Sequence, residues 1–256
     1  MNLGIGLGIT NYQGVPTVPL DPDAVIAALF GSGEEGAWYD PSDLTTVWQD
    51  AAGTTPATAG DPVGRIDDKS GNGNHATQST STARPTLQVS GGLYYLEFVV
   101  DDFMQTAAFA SPLAQPNFIS LAGLLPDSTG SSALYFDGLA SGSRHYAFAN
   151  KNSTILSVGA DGGYYSGTEP DGTSTNVWSF NFDGASSYLR QDGTQVATGN
   201  TGATTFGGLT LMGNINSAAS PHTTNMHGFV LVNRALTGGE IGDLESYLAV
   251  KSGVTL

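Results

Sequence analysis

From Gly92 onward the chain is a succession of short apolar segments separated by turn signals, and it holds five Asp-Gly dipeptides, at Asp137, Asp161, Asp171, Asp183 and Asp192. A two-residue hairpin turn needs positive φ at its centre, and Asp-Gly supplies that at little steric cost. The segments 93–99, 118–124, 133–136, 145–149, 155–159, 177–182, 188–190, 209–212 and 228–232 therefore read as strands. Many short strands punctuated this way predict a sandwich or jelly roll.

Composition agrees. Only 12% of the 256 residues are charged, against about a quarter in an ordinary globular chain. Too few Glu, Lys and Arg remain for a set of long surface helices. Net charge is −15, with Lys69, Lys151 and Lys251 as the only lysines. That balance argues against nucleic acid, whose binding rests on clustered cations, and against an anionic membrane surface. It also opposes polyanionic glycans unless a divalent cation intervenes. The chain has no cysteine, which excludes disulfides and thiolate chemistry and fits a reducing cytosol. The opening residues lack a basic region, so no signal peptide is expected, and no segment approaches a membrane span.

Both ends differ from the middle. Leu3, Ile5, Leu7 and Ile9 alternate with glycine, so one face is apolar and the other bare. Such a segment suits an arm docking on a neighbouring subunit, or else the first strand of the sandwich. Residues 1–20 thus read as an arm, 21–35 as a short helix and linker, and 36–256 as the sandwich. Asp21 is placed to cap a helix that Pro22 opens and Gly31 ends. A further helical turn is expected from Asp40-Pro41 to Trp48, and residues 53–84 read as loop. Near the end, Thr237 and Glu240 have capping-box spacing, and Ile241, Leu244 and Leu248 share one helical face, which predicts an amphipathic helix.

Four stretches, in order, resemble the laminin-G-like branch of the concanavalin A-like superfamily. They are Asp68-Lys69-Ser70-Gly71-Asn72-Gly73-Asn74-His75-Ala76; Leu96-Glu97-Phe98-Val99-Val100-Asp101-Asp102-Phe103; Trp178 to Gly184 with Tyr188 to Gly193; and Gly228-Phe229-Val230-Leu231-Val232-Asn233-Arg234-Ala235-Leu236-Thr237 with Glu240-Ile241. Val99 and Val100 depart from the family's usual Asp-Gly. The resemblance implies a mostly β fold, an antiparallel two-sheet sandwich of jelly-roll type. The arm, the entry Trp38-Tyr39-Asp40-Pro41 and the C-terminal end are further similar to phage and prophage structural proteins. What that implies is a non-catalytic virion subunit on a tail, baseplate or capsid surface, assembled in the bacterial host cytoplasm. Its partners would be other virion proteins and host-surface polysaccharide, and by analogy it would be a homo-oligomer, a trimer. A decoration protein without a glycan ligand is the alternative, and a glycan-cleaving enzyme the third reading.

Hydrolases of this superfamily alternate glutamates with an aspartate along one strand, placing a nucleophile and a general acid on one face. The six glutamates, Glu34, Glu35, Glu97, Glu169, Glu240 and Glu245, show no such spacing, so no catalytic residue is expected. His145 reads as a satisfied strand residue, and His222 with His227 as chance spacing. Related sandwiches carry calcium at a loop rim, which would draw on Asp67, Asp68, Asn72, Asn74, Asp101 and Asp102, since calcium takes six to eight oxygens. The same residues also suit plain turn stabilisation. For a sugar, with its apolar face and ring of hydroxyls, the expected surface is Tyr164 or Tyr165 with Glu169, Asp171 and Asn176.

Overall fold

A computed structural model describes residues 21–126, 131–149, 155–161, 163–168, 170–214 and 222–256. The arm at Leu3, Ile5, Leu7 and Ile9 lies outside them, as does Glu169. In chain order, α1 spans Pro22–Ala28, β1 Gly36–Tyr39, β2 Val47–Trp48, β3 Arg65–Ile66, β4 Ala76–Thr77, β5 Thr86–Ser90, β6 Leu93–Phe98, β7 Met104–Gln105 and β8 Asn117–Leu124. Then come β9 Ala133–Asp137, β10 His145–Ala149, β11 Ile155–Ala160, β12 Gly163–Thr168 and β13 Thr175–Phe182. The last elements are β14 Ser187–Gln191, β15 Thr194–Gly199, β16 Thr210–Leu211, β17 Thr224–Val232 and α2 Gly238–Ser252.

These strands form two antiparallel sheets. The first runs β15-β14-β13-β8-β17-β6-β5, and the second runs β12-β11-β10-β9-β16-β7-β4-β3-β2. β17 pairs along its length with β8. Its other edge is shared, with β6 against Thr224 to Met226 and β1 against Phe229 to Val232. Between the sheets Phe136 sets its ring edge-on to Phe180 at 5.1 Å and to Phe182 at 6.2 Å, a favourable aromatic geometry. Ile66, Leu96, Leu156 and Leu211 fill the same layer.

A third layer covers only the first sheet. Its outer side chains, among them Trp38, Phe118, Val177 and Val230, pack under Ile26 and Leu29 of the α1 region and under Ile241, Leu244 and Leu248 of α2. β8 is consequently buried on both faces and reads as a continuous apolar run, not an alternating one. The helices end as their sequences predict. Asp21 accepts from the Asp23 N–H, and Thr237 and Glu240 close the capping box, a cap contributing about 1 kcal/mol. Among the described residues no helix packs on the outer face of the second sheet.

Three local expectations are corrected. The segment from Asp40 to Trp48 holds one short 3-10 turn, Leu44–Thr46, before β2, because Asp43 accepts from Thr45 N–H and closes the turn on itself. Residues 53–84 contain β3 and β4, strands too short to show a period. Of the Asp-Gly pairs, two sit at two-residue hairpins. Asp192-Gly193, both at positive φ, joins β14 to β15, and the Asp161 pair lies between Ala160 and Gly163, which face each other across β11 and β12. Asp171 instead caps a looser loop, accepting from Thr173 and Ser174 N–H, while Asp137 ends β9 and pairs with Arg144.

Candidate functional site

On β10 the pattern His145-Tyr146-Ala147-Phe148-Ala149 alternates buried and half-buried, so its two aromatic rings stand on the uncovered outer face. The rings lie 5.5 Å apart, inclined at 41°. Leu134 pairs with Phe148 from β9, and Gly159 pairs with Tyr146 from β11. Glycine at 159 puts no side chain beside the tyrosine ring.

Polar groups border these rings. Arg144 enters from the start of β10 and donates from Nε and Nη2 to the two carboxylate oxygens of Asp137, at 2.7 and 2.6 Å. Its guanidinium carbon sits 4.5 Å over the Tyr146 ring, and its remaining nitrogen is 4.0 Å from Asp161. A bidentate pair of this kind fixes both partners. Asp161 in turn accepts from the Gly142 N–H, so the β11–β12 hairpin is tied to the loop before β10. Opposite stands the 200–202 segment, where Asn200 accepts from the Gly202 N–H at 2.8 Å. That segment comes close because residue 163 is glycine: a Cβ there would lie 2.6 Å from the Gly202 nitrogen.

The result is an open cleft of about 720 Å³, bounded by Arg144, Tyr146, Phe148, Asp161 and Asn200. A second hollow of about 290 Å³ shares Arg144 and Phe148 and continues toward Ser132, Leu134 and Asn214. Together they form a groove with an aromatic floor and walls of amide, carboxylate and guanidinium. Apolar rings with a few placed polar groups are what a pyranose or furanose needs.

His145 lies beneath this floor, sandwiched between Phe182 at 4.4 Å and Phe206 at 4.9 Å. Burial pushes its pKa down to about 4, against the opposing effect of its bond to the Thr204 carbonyl. The unfolded imidazole takes up a proton below about pH 6.5, while the folded one refuses it until about pH 4. Stability contributed here is therefore complete above pH 6.5 and is lost as pH falls toward 4, by about 3 kcal/mol. Urea unfolding at pH 7.0 and 4.5 is expected to show this slope, and His145→Phe to lose most of it. His227, whose pKa burial also lowers, accounts for a remainder.

The residues picked from sequence scatter. Tyr165 is buried in the inter-sheet core, so a sugar does not reach its ring, and burial raises its pKa. Tyr164 sits opposite Gly159 in the β11–β12 register, one strand beyond Tyr146. Asp171 caps its own turn, and the backbone N–H groups of Thr173 and Ser174 hold its pKa down to about 2. Asn176 belongs to β13 in the other sheet and donates to Asp192 at 2.7 Å. These positions do not form one site.

Nor do the six oxygen-bearing residues form one ligand set. Asp67 accepts from Trp48 Nε1 at 2.7 Å and from Arg65 at 2.6 Å. Asp68 accepts from Trp38 N–H and Ser70 N–H on one oxygen, and from Ser70 Oγ and Asn74 N–H on the other. Asn72 and Asn74 direct their amide nitrogens to the Gly36 carbonyl. Asp102 accepts from Val99 N–H beside Asp101, which is at φ 75°. Among the described residues no three acidic or imidazole side chains gather as metal ligands. The family-like 68–76 turn thus fastens β1 by hydrogen bonds, and its donor set does not fit calcium.

Sequence reasoning overlooked Arg144, Tyr146, Phe148 and Asp161. Their signal is the small–aromatic alternation of β10, which marks an outward face but says nothing of whether a helix covers it.

No family model and no curated protein matches the chain. Solved structures resemble its fold. A Trypanosoma rangeli sialidase aligns at 12% identity over 88% of this chain and 34% of its own, with a TM-score of 0.54. An arabinofuranosidase complexed with arabinofuranosyl-α-1,2-xylobiose aligns at 13% identity over 88% and 65%, with a TM-score of 0.63. The ligand binding domain of botulinum neurotoxin serotype D, in complex with N-acetylneuraminic acid, aligns at 8% identity over 85% and 55%, with a TM-score of 0.56. The chain thus spans between about a third and two thirds of these proteins. The likeness overturns the expectation of a non-catalytic phage virion subunit, adhesive or decorative. Those fold neighbours are glycosidases and a toxin domain, with no virion protein among the three, and the expectation that the chain is not an enzyme falls with it. What the likeness establishes is the fold alone, a β-sandwich similar to parts of those proteins.

Proposed function

We propose that this chain recognises a glycan in the groove over β9, β10 and β11. The observation that carries the reading is the pair of outward rings, Tyr146 and Phe148, bordered by Arg144, Asp161 and Asn200 on a sheet face that no helix of the described residues covers. Rings of this kind bury the apolar face of a sugar, and the polar rim answers its hydroxyls. The related sandwiches include one in complex with N-acetylneuraminic acid and one with an arabinofuranosyl-xylobiose, which is consistent with a carbohydrate ligand. On a glycan array the protein is expected to bind at least one oligosaccharide. Tyr146→Ala should weaken that binding at least tenfold, because the ring supplies the largest apolar contact. A blank array, or a Tyr146→Ala variant that binds like the parent, overturns the reading.

Cleavage in the same groove is the second reading. It is favoured by Asp137 and Asp161, two carboxyl groups on either side of Arg144, since hydrolysis of a glycosidic bond uses a carboxyl pair. New reducing ends on incubation with a bound oligosaccharide, lost in Asp161→Asn, would support it. Binding without product release would reject it.

A further inference from the structure

We infer that the groove selects neutral glycans and rejects sialylated or uronate-bearing ones, an inference that rests on the glycan reading above. Among the described residues Arg144 is the only cation lining either hollow, while Asp161 lines the first and Asp137 the second. Over the two hollows together the described lining carries one positive and two negative charges, within a chain of net charge −15. An arginine recognises a carboxylate by presenting two parallel N–H groups in a fork. Here that fork is already spent on Asp137, at 2.7 and 2.6 Å, and Asp137 is itself buried. The face of the guanidinium rests on Tyr146 and its third nitrogen lies toward Asp161. A ligand carboxylate would have to displace Asp137 from a buried pair, or lie beside Asp161 with no cation of its own. Both cost more than leaving it in water. Hydroxyls and acetamido groups meet no such opposition, because the Asp161 carboxylate accepts from the first and the Asn200 amide suits both. Two of the similar sandwiches are a sialidase and a domain in complex with N-acetylneuraminic acid, so the shared fold does not dictate the preference.

The test is an array carrying matched oligosaccharides, each with and without a terminal sialic acid or glucuronic acid, read at low and at physiological salt. Neutral members are expected to bind at least tenfold more tightly than their acidic counterparts, with the gap narrowing as salt rises. Asp161→Asn, which keeps an acceptor for the Gly142 N–H, should reduce that gap at least threefold, read as the ratio of neutral to acidic affinity whatever the variant does to each. Equal or tighter binding of the acidic members through Tyr146 overturns the inference and leaves glycan recognition standing. So does an unchanged gap in Asp161→Asn. A blank array removes the glycan reading itself, and this inference with it.

Discussion

Gly123→Ala is expected to destabilise the fold by at least about 3 kcal/mol, beyond what ordinary overpacking of a core costs. Gly123 lies in β8, opposite Met226 of β17. A Cβ built there would stand 2.0 Å from the Asn225 carbonyl oxygen and 3.4 Å from the Met226 Cα. The obstructing atom is main chain in the pairing of two central strands of the first sheet, so no side-chain rotation relieves it. The strands must part beside the irregularity between Met226 and Gly228, which costs ladder hydrogen bonds between two central strands. For a chain of this size a loss of 3 kcal/mol lowers Tm by roughly 6 °C. Gly242→Ala in α2 serves as the contrast. Nothing lies within 4 Å of its Cβ position, and alanine there should stabilise by about 0.5–1 kcal/mol. Thermal unfolding of both variants checks the pair, and a Gly123→Ala protein melting with the parent would sink the steric account.

Glu245→Ala is expected to cost about 3 kcal/mol, the lower end of the range for breaking a buried ion pair. Glu245 is on α2 and 2% exposed, and it receives Arg190 of β14 through two bonds of 2.7 and 3.0 Å. Removing the carboxylate strands a guanidinium that is 23% exposed, which is why the loss stays at the lower end. The helix is also released from the sheet edge that β14 and β15 form. Replacing both partners, Glu245→Leu with Arg190→Leu, should recover most of the loss, since a paired buried charge adds little over apolar packing of similar volume. Urea midpoints of the single and double variants measure this directly. A double variant as weak as the single one would mean that the helix, not the charge, suffers.

Much of the scaffold was legible because it is local. Strand segments such as 145–149 and 118–124 announce themselves by short apolar runs between turn residues, and β10 occupies the residues assigned to it. The α2 capping box is read directly from Thr237 and Glu240, three residues apart. Turn chemistry was less decisive. Asp-Gly promotes positive φ, but whether the chain then pairs with itself, as at Asp192, or wanders, as at Asp171, depends on the partner strand. β1 and β12 escaped notice because their pairing with β17 and β11 supplies what their sequences do not declare.

By itself, then, the sequence determined the β class, the strand periods and the two helix starts, because each rests on contacts within a few residues along the chain. Tertiary structure alone decided which sheet face the helices cover, and hence which face stays open. It also decided that Arg144 and Asp137 neutralise each other beside Tyr146, and that Tyr165 packs into the core while Asp68 is consumed in a turn. Facing and burial are set by partners far off in sequence, such as α2 on β8, and no local pattern records them.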